Sequence, residues 1–332
     1  MRRGVSMALA VALMAGYAAP ATAYLKFGVR VSSGDVTLKW KGTVRYFVSD
    51  TGVAGVTSAA FQNTVARAFS TWESVSTASI AYEFGGLTSA RPGSDDGRST
   101  LGFLEEPELD RVLASTSFLI DMSTGELLES DIFFNSVFPW SVAPGGETGR
   151  YDLESIAVHE IGHLSGLGHS ALGESEVGDG GRRRVLATGA VMFPIAFAAG
   201  TTSGRALRAD DVAGISDLYP DGGFREDTGS ISGRVTKDGH GVFGAHIVAF
   251  NPATGELVGN FSLDTQGRFS IAGLARGVYV VRVEPLDDAD VESFFEAEPP
   301  ADIDLRAAFH HRVVGVPRGG DSGAIEIKVA GK

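Results

Sequence analysis

The 332-residue chain contains no cysteine. That excludes disulfides, thiolate metal sites, cysteine nucleophiles and attachment of lipid through an N-terminal Cys, so stability has to come from core size and bound metal. Histidine is scarce: there are seven, and none precedes His159. Basic residues fall short of acidic ones, 28 against 41, for a net charge of −13, which argues against nucleic acid and anionic membrane as partners. Only one apolar run approaches spanning length, and it lies at the N-terminus. Arg2 and Arg3 precede the stretch Val5 to Ala19, and Ala21-Thr22-Ala23 is a small-x-small cleavage signal. Residues 1–23 are read as a signal peptide cleaved after Ala23. The alternative is an N-terminal membrane anchor, but the run is short for a span and Pro20 sits where a leader would break. Apart from this leader no membrane span is expected, and the mature chain is expected to be secreted, to the periplasm or the extracellular medium.

The apolar fraction, 43%, suffices for buried cores, and the length suggests about two domains. Glycine is abundant, at 44 residues, which points to turns and β-structure. Residues 38–48 alternate like a strand. Phe61, Val65, Phe69 and Trp72 recur at helical spacing over 58–74, with Thr57 or Ser58 as N-cap. Ile80–Phe84, Leu113–Ile120 and Asp131–Asn135 read as strands, and 85–111 as a long surface loop. A second helix runs from Tyr151 to Gly168 with Asp152 as cap, followed by a charged loop at 172–189. A third spans Arg208–Leu218, with Asp210 and Asp211 in its first turn. Residues 221–230 (DGGFREDTGS) read as a linker. Beyond it, about seven short strands predict an all-β sandwich over 231–332, interrupted by an exposed acidic loop at 285–306.

The chemistry concentrates in His159-Glu160-Ile161-Gly162-His163-Leu164-Ser165-Gly166-Leu167-Gly168-His169-Ser170. His159 and His163 are four residues apart, so a helix projects both from one face toward one metal. Glu160 is beside them, placed to act as general base on a metal-bound water and as proton shuttle to a leaving amine. Gly166 permits a sharp turn that returns His169 as third ligand. Three imidazoles with an open fourth position are the donor set of a catalytic zinc. His240, His246, His310 and His311 read as turn or surface residues.

The extended motif resembles that of the metzincin metalloproteases of the matrixin, or matrix metalloprotease-like, type. Ser170 after the third His, Val191-Met192-Phe193-Pro194 as a Met-turn, and Leu207 to Pro220 as a final helix are similar to that family. So are Ala68-Phe69-x-x-Trp72 and Asp131-Ile132-x-Phe134-Asn135, and the resemblance covers about residues 38–220. It implies an α+β fold, a twisted mixed sheet with three helices over 24–220, and a horizontal peptide cleft. It implies one catalytic zinc held by His159, His163 and His169, with Glu160 catalytic and Met192 packed beneath the metal. Ala114 and Ser115 would align an extended substrate as an added strand, and Pro194 and Ile195 would wall the pocket beyond the scissile bond. The family's second, structural zinc is not expected, because no His precedes His159. Nor is a cysteine latch, since the chain has no cysteine and 24–38 is too short for a propeptide. Asp95, Asp96 and Gly97 form a candidate calcium loop, although acidic Gly-rich loops are usually just solvated. The segment from Gly229 through Tyr279 is similar to carboxypeptidase regulatory-like, prealbumin-like domains.

These readings converge on a secreted zinc endopeptidase that hydrolyses peptide bonds of proteins, expected to be a monomer, whose residues 24–222 would fold and cleave alone. The alternative is an adhesion or substrate-docking protein with a secondary or inactive protease-like domain. Retention of Glu160 argues against inactivity.

Overall fold

The structure, a computed structural model, describes residues 26–31, 34–178, 183–295 and 300–332. The expected leader lies outside the described residues. The described residues open with an antiparallel pair, β1 (Gly28–Val31) and β2 (Gly34–Thr37). Next come β3 (Val44–Ser49), α1 (Ser58–Glu73), β4 (Tyr82–Thr88), β5 (Ser99–Leu104), β6 (Ala114–Asp121) and β7 (Glu126–Asn135). The last five strands form one sheet in the order β4-β3-β5-β7-β6, parallel except for the antiparallel pair β6 and β7. Among the described residues, β6 pairs only with β7 and is an edge strand.

Helix α1 begins at Thr57, whose hydroxyl accepts from the Ala60 amide, and it lays Phe61, Val65, Phe69 and Trp72 on the sheet. Two short strands, β8 (Trp140–Ser141) and β9 (Tyr151–Asp152), lead into α2 (Leu153–Leu164). Asp152 caps α2, accepting from the Ser155 amide at 2.9 Å and from Arg205 Nε at 2.9 Å. Helices α1 and α2 are tied at the centre, where the buried Trp72 indole N–H donates to Val158 O at 2.8 Å.

Two stretches read as loops carry strands. The stretch 85–111 holds the second half of β4, whose start was read as a strand, and all of β5. Their apolar runs are short and interrupted by glycine, and β5 is held by carboxylates on its neighbour: Asp131 accepts from Thr100 N at 2.7 Å and from Gly93 N at 2.6 Å. Within 172–189, β10 (Gly173–Val177) and β11 (Arg183–Thr188) pair antiparallel, their alternation masked by charged side chains on both strands. Helix α3 (Ala209–Leu218) follows.

The stretch read as a linker is not open chain. Asp221 Oδ1 accepts from the Gly223 and Phe224 amides, starting the short α4 (Phe224–Asp227), and Phe224 is buried. From Gly229 onward the described residues form strands: β12 (Gly229–Lys237), β13 (His240–Gly241), β14 (His246–Phe250), β15 (Leu257–Phe261), β16 (Arg268–Leu274), β17 (Gly277–Glu284), β18 (Ala308–Phe309), β19 (Val314–Val316) and β20 (Ile325–Val329). One sheet runs β13-β12-β16 with β20 beside β12. The other runs β15-β14-β17-β18 with β19 beside β17. Ile231, Val235, Ile247, Phe269, Val281 and Ile327 form their shared core. The acidic stretch from 285 is less exposed than its composition suggests, because Leu286, Ala289, Phe294, Phe295 and Leu305 are buried.

The two halves are packed together. Ala213 of α3 belongs to the C-terminal core, while Ile215 and Leu218 of the same helix belong to the N-terminal one. Ala171 and Phe193 share a cluster with Phe261, Leu263, Phe294 and Phe295.

Candidate metal centre and cleft

Helix α2 carries His159 and His163 one turn apart, with Glu160 next to His159, and all three line the cleft. Its C-terminus closes in a Schellman arrangement: Gly166 N donates to His163 O at 2.7 Å and Leu167 N to Gly162 O at 3.0 Å. Gly166 adopts φ +100°, a conformation that disfavours any residue with a Cβ. The chain reverses there and brings His169 back to the helix. Ser170 N then donates to Met192 O at 2.9 Å, tying the third histidine to the Met192 turn. Gly162 is required by close packing, since a Cβ would lie 2.3 Å from Met192 Sδ and 2.8 Å from Trp72 Cζ2. The buried Met192 thus packs against α2 at Gly162.

Each imidazole is oriented by a main-chain carbonyl. His159 Nδ1 meets Val191 O, His163 Nδ1 meets Leu167 O, and His169 Nδ1 meets Ser293 O, all at 2.8 Å. A carbonyl only accepts, so each Nδ1 carries the proton and each Nε2 presents a lone pair. The ligand atoms lie within 4.8 Å of one another, and His163 Nε2 and His169 Nε2 approach to 3.1 Å. Lone pairs facing at that distance with no proton to share suit a cation between them. Burial pushes all three rings toward the neutral, ligating form. It holds His163 well below the usual imidazole range and His169 down to about 3, and the carbonyl bonds only partly oppose it. Among the described residues this is the one cluster with metal-ligating geometry.

Glu160 is buried beside the three histidines and is not part of that cluster. Thr116 Oγ1 donates to Glu160 Oε2 at 2.6 Å. Burial raises the carboxyl to about 7, and the Thr116 bond opposes the shift. The cleft over these groups measures about 350 Å³. Ala114 and Ser115 of β6 line it, as do Pro194 and Ile195 after Met192, together with the three histidines and Glu160; Met192 lies outside it, buried behind α2, and Asp95 and Asp96 are not part of it.

Sequence reasoning missed three contributors. Thr116 lay in the predicted strand, but alternation says nothing about its reach to Glu160. Asp211 accepts from Val191 N (3.0 Å), Met192 N (3.1 Å) and Arg208 N (2.8 Å), holding the Met192 turn; its place in a helix first turn was the only signal. Ser293 belongs to the stretch read as an exposed loop. Asp95 and Asp96 are exposed, and the nearby buried Glu129 and Asp131 spend their oxygens on backbone amides of Gly97, Gly93 and Thr100.

Comparison with known proteins points the same way over part of the chain. Residues 39–177 match the Peptidase_M10 family model, described as matrixin, a segment that includes all three histidines and Glu160. Metalloendoproteinase 2-MMP of Arabidopsis thaliana is 45% identical over 74 residues, which cover 22% of this chain and 15% of that protein. Metalloendoproteinase 5-MMP of the same plant is 44% identical over 68 residues, covering 20% and 14%. The chain therefore matches under one-sixth of the length of either relative. Among solved structures, the Bacillus anthracis TIE protein is similar over 32% of this chain and 17% of its own, at 16% identity and a TM-score of 0.22. No helix among the described residues is long and apolar enough to cross a membrane.

Proposed function

We propose that this chain is an exported zinc-dependent endopeptidase acting on protein substrates, with His159, His163 and His169 as metal ligands and Glu160 as catalytic base. The observation that carries the reading is the set of three Nε2 lone pairs, each fixed by a carbonyl on Nδ1, beside a buried carboxylate in a segment that matches the matrixins. The donor set fits zinc, which when bound supplies a Lewis acid able to bring the pKa of water toward 7. Thr116 holds Glu160 Oε2, so Oε1 is the oxygen assigned to the proton. Glu160 takes that proton from water in the cleft and returns it to the departing amine. Edge strand β6 presents Ala114 and Ser115 to an extended peptide, which adds as a further strand. Pro194 and Ile195 form an apolar wall facing the side chain beyond the scissile bond.

The test is elemental analysis of wild type and His163→Ala together with cleavage of a diverse peptide pool. The wild type should hold about one zinc per chain and cleave, as a single three-imidazole site requires. The variant should lose both. Full zinc retention by His163→Ala would overturn the ligand assignment.

A further inference from the structure

His159 and His163 are oriented by carbonyls close to them in the fold of the N-terminal half. His169 is not: its partner, the Ser293 carbonyl, lies 124 residues further along the chain. Ser293 ends a single 3-10 turn, Val291–Ser293, beyond β17. The turn is closed internally, with Ser293 N donating to Asp290 O and both Phe294 N and Phe295 N donating to Val291 O.

Packing anchors the turn on one side. Phe294 and Phe295 are buried, their rings 5.7 and 5.4 Å from that of Phe261. The paired strands β10 and β11 hold the approach to it on the other. Ser175 N donates to Asp288 Oδ1 at 3.0 Å, and Arg183 Nη1 donates to Asp287 O at 3.1 Å. Glu292, Ser293 and Phe294 line the same cleft as the three imidazoles.

A neutral imidazole has one N–H, and the group that receives it decides which nitrogen keeps the lone pair. Orienting partners of this kind tune the basicity and the aim of a ligand. We infer that the turn Val291–Ser293 is an integral outer part of the metal centre. Ser293 is a positioning residue acting through His169, and the strand-rich C-terminal half is required for tight metal binding. The inference rests on the proposed ligand set and goes beyond it by making the site a joint construction of both halves.

The experiment uses the full chain and three variants. Ser293→Ala keeps the carbonyl. The triple substitution Val291→Gly, Glu292→Gly, Ser293→Gly loosens the turn but leaves Phe294 and Phe295 in place. The third inserts one glycine between Ser293 and Phe294, moving the carbonyl away from the ring. The readouts are zinc affinity by chelator competition and the visible spectrum of the cobalt(II)-substituted protein, with near-ultraviolet circular dichroism to check the fold. Ser293→Ala should match wild type, whereas the triple variant and the insertion should lose about 10- to 100-fold in affinity, the usual effect of removing an outer partner. Their cobalt bands should shift as the third imidazole tilts. Folded variants with wild-type affinity and an unchanged cobalt spectrum would overturn the inference.

A variant-free measurement covers the case in which the altered turns do not fold. Nitrogen-15 spectra of the metal-free wild type should show His169 as the Nδ1–H tautomer, and an Nε2–H tautomer would overturn the inference. Failure of the wild type itself to bind zinc would instead remove the proposed function.

Discussion

Glu160 has two influences that set its basicity, and they oppose each other. Burial pushes the carboxyl up to about 7, and the Thr116 hydroxyl pulls it down. Removing the hydroxyl by Thr116→Val leaves only the upward push. The working base is the ionised form, so the acidic limb of kcat/KM against pH should move to higher pH. A hydrogen bond to a charged group is worth about 1.5–3 kcal/mol, which corresponds to a displacement of about one to two pH units. Thr116→Ser, which restores the hydroxyl, should return the limb. An acidic limb that stays in place in Thr116→Val would mean that Glu160 is not the titrating base.

Helix α3 shows what element-scale patterning predicts and what it hides. Asp210 and Asp211 look like ordinary first-turn acids favoured by the helix dipole, yet both are buried. Asp210 Oδ1 accepts from Gly259 N at 2.8 Å and its Oδ2 from Ser170 Oγ at 2.6 Å, so one carboxyl joins the residue after His169 to β15. Burial first, then the neighbouring Asp211, raises it to about 7 from an ordinary 3.8. The folded state therefore holds this proton more tightly than the unfolded chain. Its contribution to stability is full below about 4 and is lost as pH rises toward about 7. Asp210→Asn resembles the protonated form, keeping an acceptor for Gly259 N and offering a donor to Ser170. Its denaturation midpoint should fall less between pH 5 and 8 than that of wild type, and parallel curves would contradict this. Elements with strong periodicity, α1 and α2 with their Thr57 and Asp152 caps, were legible in the sequence, as was the His159–His169 turn with Gly166. The start of β4 was read as a strand, but its second half and all of β5 were not, because their hydrogen-bond partners are remote strands and carboxylates such as Asp131. Ser293 was illegible for a related reason: a backbone carbonyl has no residue signature, and its position follows from the burial of Phe294 and Phe295.

At the scale of the whole molecule, composition divided the chain at 221–230, and independent folding of residues 24–222 was the natural expectation. The packing makes that fragment incomplete. Leu172 and Ala190 are buried with Val248, and Phe193 with Phe261, Phe294 and Phe295, so truncation uncovers them. Exposing a Leu and a Phe costs about 3–6 kcal/mol, or a melting temperature lower by roughly 10 °C or more. A fragment that melts with the full chain would show that the contact between halves contributes nothing. The proposed chemistry is that of a base acting on water beside three imidazoles. Side-by-side peptidase assays and zinc analysis of wild type and Glu160→Gln test it most directly. Gln is nearly isosteric and leaves the three histidines in place, so zinc content should be unchanged while the cleavage rate falls by about 10²- to 10⁴-fold. Equal cleavage by the two zinc-loaded proteins, or no cleavage by a zinc-loaded wild type across a broad peptide pool, would contradict it.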